Sequence, residues 1–166
     1  MKIRGLSRSS AETRLWGNAL GRVLAGREII LLHGDLGVGK TRFVQGMAAG
    51  LGGEARDIVS PTFTLMNVHH LPGGKRLLHY DLYRLESASR GRVPEIDDEL
   101  GEAVQVVEWA QYLDPRYGRL PNAVNVVLEI ADDNGDQRNI RIHSHHLDGP
   151  ALERALRELG LTPYTD

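Results

Sequence analysis

Gly34-Asp35-Leu36-Gly37-Val38-Gly39-Lys40-Thr41 is the stretch from which the rest of this chain is read. It fits G-x-x-x-x-G-K-[ST], the loop that cradles phosphates in P-loop proteins. Its glycines allow a tight turn that brings backbone N–H groups close to phosphate oxygens. Lys40 reaches for β and γ phosphates, and the Thr41 hydroxyl is a ligand type suited to Mg²⁺. A helix starting here points its positive end at the anion.

The flanks supply the context that such a loop requires. Upstream, Ile29-Ile30-Leu31-Leu32 is a branched apolar run short enough for a buried parallel strand. Downstream, Phe43, Val44, Met47, Ala48 and Leu51 recur at helical spacing until Gly52-Gly53 ends the run. Strand, glycine loop and helix together make a phosphate-binding unit rather than an idle turn.

Working outward, Ser10 to Ala25 reads as a helix capped by Ser9 or Ser10, with Leu15, Trp16, Ala19, Leu20, Val23 and Leu24 as its apolar stripe. Thr62 onward is β-prone, and Leu71-Pro72-Gly73-Gly74-Lys75 turns it into a partner strand from Arg76 to Asp81. Glu95 to Glu99 opens a short helix, Ala103 to Glu108 is a strand, and Tyr112 to Asn122 is a connecting loop. Val124 to Ile130 and Asn139 to His143 flank a turn containing Asn134-Gly135, a hairpin signal. Ala151 to Leu159 forms a last helix, with Gly160 as its cap. The expected fold class is α/β: a P-loop NTPase-like mixed sheet with antiparallel strands, flanked by helices, in one domain spanning residues 1–166.

Composition narrows the function. A chain of 166 residues buries a core without cross-links, and a net charge of −2 argues against a surface built mainly for nucleic acid. Cysteine is absent, so disulfides and thiolate metal sites are excluded. No apolar stretch approaches the roughly 20 residues that span a bilayer, and the N-terminus lacks a signal-peptide core. A cytoplasmic protein with no membrane partner, monomeric when isolated, is the expectation.

A phosphate loop needs acids from neighbouring strands to complete a Mg²⁺ site, and ligands in open α/β sheets sit beyond the strands' carboxyl ends. Asp81 and Glu108 occupy two such ends. One strand-end acid alone reads as a group facing water; two in a chain with this loop read as metal- or water-positioning residues. Ser60-Pro61-Thr62 lies where a segment sensing the γ-phosphate would lie, and reads equally as a turn leading into a strand.

The Gly34–Thr41 loop, Ser60-Pro61-Thr62-Phe63-Thr64-Leu65, His79-Tyr80-Asp81-Leu82-Tyr83-Arg84-Leu85 and Val107-Glu108-Trp109 follow in this order. The set resembles the bacterial TsaE family, also called YjeE, from about Ala11 to Leu113. Those proteins are ATPases of the pathway that places N6-threonylcarbamoyl on adenosine 37 of tRNAs reading ANN codons. The resemblance implies that Asp35, Leu36, Gly37, Val38, Gly39, Lys40, Thr41 and Arg42 bind ATP, with Lys40 also acting in catalysis. It implies that Thr41 and Glu108 hold Mg²⁺, and that Asp81 orients the attacking water. Ser60 to Thr64 becomes the switch-like segment, with Thr62 closest to the nucleotide. Trp109 would lie beside the site, although core burial explains it equally. The implied partner is the TsaB–TsaD complex, which performs the transfer, with tRNA met through that complex. Two departures stand out: Ser87 to Pro94 replaces the start of an acidic helical stretch, and Ala110 stands where proline is common.

His143, His145 and His146 cluster, but no further ligand is placed by spacing, so they read as an exposed tail rather than a transition-metal site. Arg84, Arg90 and Arg92 read first as a solvated loop, and more sharply as contacts to phosphate, tRNA or a partner. Against the ATPase stand two other classes. A small-molecule or nucleotide kinase would share the loop, yet no acceptor domain is visible. A non-hydrolysing ATP-gated binding module stays open, whereas a GTPase switch lacks its Asn-Lys-x-Asp motif. No arginine finger is identifiable in the sequence, so hydrolysis by the isolated chain is expected to be weak.

Overall fold

The computed structural model describes residues 1–59, 61, 66–83, 91–133 and 135–165. The elements run β1 (Lys2–Ser7), α1 (Ser10–Val23), β2 (Ile29–His33), α2 (Lys40–Gly50), β3 (Met66–His70), β4 (Arg76–Asp81), α3 (Pro94–Asp98), β5 (Val104–Glu108), β6 (Ala123–Ile130), β7 (Arg138–Ser144), α4 (Gly149–Glu158) and β8 (Tyr164–Thr165). They form one eight-stranded mixed sheet in the order β3-β4-β5-β2-β6-β7-β1-β8. The pairs β4–β5, β5–β2 and β2–β6 are parallel, and the antiparallel pairs lie outside them.

β2 is buried on both faces, as its unbroken apolar run predicts. Ile30 and Leu32 face one core with Trp16, Leu20, Phe43, Val44 and Leu152, beneath α1, α2 and α4. Ile29 and Leu31 face a second core with Tyr80, Ile96, Trp109 and Tyr117. This second face is closed by α3 and 3-10 turns at Ala110–Tyr112 and Pro115–Arg119. Tyr117 fixes the cover: its hydroxyl donates to Asp97 at 2.7 Å and accepts from the Val93 amide at 3.1 Å.

α1 and α2 touch backbone to backbone. A Cβ on Gly17 would lie 2.0 Å from the Phe43 carbonyl oxygen, and one on Gly46 would lie 1.8 Å from that of Arg14. Ser9 caps α1 by accepting from the Glu12 amide at 3.1 Å, while Glu12 reaches back to the Arg8 amide at 2.8 Å.

Several boundaries differ from the sequence reading. α1 stops at Val23, not Ala25, because the Glu28 carboxylate gathers the amides of Ala25, Gly26 and Arg27 into a turn. α4 starts at Gly149, two residues before the expected Ala151, because Asp148 accepts from the Ala151 amide at 3.2 Å. The described part of the first hairpin strand begins at Met66, and Thr62 to Leu65 lie outside the described residues. β1 and β8 were not anticipated, since Gly5 interrupts the alternation of β1 and β8 is only two residues long. The three histidines stand at a strand end, with His145 and His146 exposed as expected, but they are no tail, because the chain folds back into the core after them. His143 lies within β7 and packs edge-on to His145 at 4.8 Å, and Leu147 then buries itself and leads into α4.

Candidate functional site

The loop leaves β2 at Gly34 and enters α2 through Gly39. Gly37 and Gly39 have φ of 75° and 109°, in the left-handed region where a side chain would be strained. The Val38 side chain is buried and its carbonyl accepts from Arg138 Nε at 2.6 Å, which ties the loop to β7. Leu36, by contrast, is 74% exposed at the loop tip.

Lys40 starts α2 and folds back over its own loop. Its ammonium donates to the carbonyl oxygens of Gly34 at 2.6 Å and Asp35 at 2.9 Å, and lies 3.8 Å from the centre of the Trp109 ring. Burial pushes its pKa down, while Glu108, Asp81 and Asp35 pull it back up. Trp109 therefore joins both readings: it belongs to the second core and it faces Lys40. Its backbone is the one non-glycine with positive φ among the described residues, at 61°.

Thr41 Oγ1 donates to Glu108 Oε1 at 3.2 Å. Glu108 ends β5 at 1% exposure, and its Oε2 lies 2.8 Å from His79 Nε2. The β4–β5 register sets Asp81 directly beside Glu108. Because side chains alternate along a strand, His79 and Asp81 share the face of β4 that looks toward α2. Asp81 Oδ1 accepts from the Tyr83 amide at 2.9 Å, which turns the chain as β4 ends.

A cavity of about 280 Å³ is lined by Lys40, Thr41, Asp81, Glu108 and Trp109 together with Leu36, Gly37, Gly39 and Arg42. A second, of about 430 Å³, lies across Gly37–Gly39 and is walled by Arg8, Ser9, Thr13, Arg42 and Arg138. A larger concavity of about 550 Å³ opens at Arg4, Arg141 and Tyr164, among none of the loop residues. Of the sequence-based site residues, Thr62 falls outside the described residues, as do Ser60, Arg84 and Arg90. Arg92 pairs with Asp97 at 3.0 Å, away from the loop. Sequence reasoning missed His79 as the partner of Glu108 and Arg138 as the anchor of Val38. Strand alternation puts His79 on the face of Asp81, but its pairing with Glu108 needs β5 beside β4, and no local signal pointed to the second.

The donor set suits Mg²⁺. A hydroxyl and a carboxylate converge where the loop enters α2, and both are hard oxygen ligands. Among the described residues no group of three His, Cys, Asp or Glu side chains could hold a metal alone. Mg²⁺ that completes its shell with phosphate oxygens and water does not need one.

Sheet, loop and strand-end acids together define an α/β protein of the P-loop NTPase-like class. Residues 7–140 match the family model described as "Threonylcarbamoyl adenosine biosynthesis protein TsaE", and the chain belongs to that family. The tRNA threonylcarbamoyladenosine biosynthesis protein TsaE of Treponema pallidum is 41% identical over 110 residues, covering 66% of this chain and 79% of the relative. That of Aquifex aeolicus is 35% identical over 138 residues, covering 81% and 91%. Among solved structures, that of Bacillus subtilis YdiB superposes with a TM-score of 0.65 at 26% identity, covering 96% of this chain and 95% of its own.

Proposed function

We propose that this chain binds ATP with Mg²⁺ and hydrolyses it to support the TsaB–TsaD complex in N6-threonylcarbamoyladenosine modification of tRNA. The observation that carries the reading is the convergence of Lys40, Thr41, Asp81 and Glu108 on one cavity at the carboxyl ends of β2, β4 and β5. Phosphates rest against the Gly37–Thr41 amides and the N-terminus of α2. Lys40 exchanges the Gly34 and Asp35 carbonyls for the β and γ phosphates. Thr41 and Glu108 would hold Mg²⁺, which when bound neutralises charge on the phosphate oxygens. Asp81 orients a water for in-line attack on the γ-phosphorus. The new bond forms from the water oxygen, the bridging P–O bond breaks with its electron pair on ADP, one water proton stays on the new phosphate and the other passes to solvent, and ADP leaves with inorganic phosphate. The nucleoside extends across Gly37–Gly39 toward the 430 Å³ cavity, between Ser9 and Arg138.

The test is Mg²⁺-dependent ATP hydrolysis by the chain alone and with TsaB and TsaD from the same organism. Slow turnover alone and strong stimulation by the pair is the expected result. ATP binding without stimulation would overturn the assigned role and return the chain to the kinase or ATP-gated readings.

A further inference from the structure

We infer that His79 is the positioning residue for Glu108: its Nε2–H holds one carboxylate oxygen, so that the other faces Thr41 and the Mg²⁺ position. The inference deepens the Mg²⁺–ATP reading and rests on it.

Glu108 is buried at the end of β5, so no solvent shell orients its carboxylate. The two oxygens have different partners: Oε2 meets His79 Nε2 at 2.8 Å, and Oε1 meets the Thr41 hydroxyl at 3.2 Å. A carboxylate only accepts, so Nε2 is the donor in the shorter contact, and a bond to an ionised acceptor is the stronger kind. The longer contact, to Thr41, is the one a cation would enter, since both of its atoms are candidate ligands. The oxygen turned away from the cation is then the one that His79 holds. Carboxylates that ligate metals are themselves hydrogen-bonded by a surrounding shell that fixes their orientation.

Core filling does not account for His79. The residue is fully buried, and its Nδ1 has no hydrogen-bond partner among the described residues. Leu77 and Val106, beside it in the sheet, are apolar members of the core beneath α2. A residue serving that core alone would leave no ring nitrogen unpaired there. What His79 adds over an apolar side chain is the Nε2–H. The two-residue repeat of β4 places this donor one step before Asp81 on the same face, so one strand supports both acids of the site.

The test compares His79→Gln, whose amide nitrogen reaches the position of Nε2, with His79→Leu, which fills the space without a donor. Binding of a fluorescent ATP analogue is followed in EDTA and through a Mg²⁺ titration at fixed pH. In His79→Leu the Mg²⁺ midpoint should rise about 10–100-fold, as losses of such supporting partners do, while affinity in EDTA stays put. His79→Gln should keep the midpoint of the unsubstituted chain. If His79→Leu does not fold by circular dichroism, His79→Asn, whose amide is too short to reach Glu108, replaces it. An unchanged midpoint in the donor-less variant overturns the inference, as does an equal shift in His79→Gln. If the unsubstituted chain binds the analogue with no Mg²⁺ dependence, the Mg²⁺–ATP reading itself fails and this inference with it.

Discussion

Lys40 satisfies its charge on two loop carbonyls beneath the Trp109 ring, and a phosphate must outcompete those contacts. The exchange favours phosphate because charge-assisted bonds to an anion exceed those to neutral carbonyls. Hydrogen bonds to charged groups contribute about 1.5–3 kcal/mol, so Lys40→Ala should weaken ATP-analogue binding by roughly 10–100-fold, read by equilibrium titration. Asp81 answers to a different measurement. Its proposed work is on the water, not on the nucleotide, so Asp81→Asn should lower single-turnover hydrolysis by about 10²–10⁴-fold while analogue affinity stays near that of the parent. Normal hydrolysis by Asp81→Asn with TsaB and TsaD saturating would remove Asp81 from the mechanism.

The elements explain how these residues meet. β2 and α2 set the loop, and the parallel β4–β5 register sets Asp81 against Glu108. The loop and the two strand-end acids were legible in the sequence, because each of these strands ends its apolar run on an acid and the loop declares its own geometry; that β4 lies parallel beside β5 was not. The α1–α2 contact was not legible. Gly17 and Gly46 interrupt helical runs as though they were weak positions, and only the fold shows that backbone from the other helix fills the space. β1 was missed for a related reason: its pairing with β7 is non-local, and six residues with a central glycine carry little pattern of their own. The role of His79 depends on which strand lies beside β4, a fact of topology rather than of spacing. Gly46→Ala tests the helix contact directly. A Cβ 1.8 Å from the Arg14 carbonyl oxygen forces α2 away from α1. The expected cost is about 1–3 kcal/mol in urea denaturation, typical of overpacking. Because α2 carries Lys40 and Thr41, analogue binding should weaken as well. Unchanged stability would mean that the helices separate freely, against the close contact described.

At the scale of the whole molecule, the sheet divides into two jobs. Around β4, β5 and β2 both faces are covered, and the parallel strand ends present the loop and the two acids. Toward β7, β1 and β8 the antiparallel strands extend the sheet, and Arg138 of β7 reaches back to pin Val38. The Gly34–Thr41 loop is therefore anchored in one half and braced by the other, so the proposed nucleotide site draws on both. A ligand that binds only the folded chain stabilises it by about 2.7 kcal/mol at 100 times its Kd. For a chain of this size each kcal/mol raises Tm by about 2–4 °C, so saturating Mg²⁺–ATP analogue should raise Tm by roughly 5–10 °C in a thermal melt. Removing the metal with EDTA should shrink that shift, because the Thr41 hydroxyl and the Glu108 carboxylate then have no cation through which to hold the phosphates. A shift of equal size in EDTA would show that the loop binds phosphate without the metal, and Glu108 would lose its assigned role while Lys40 kept its own.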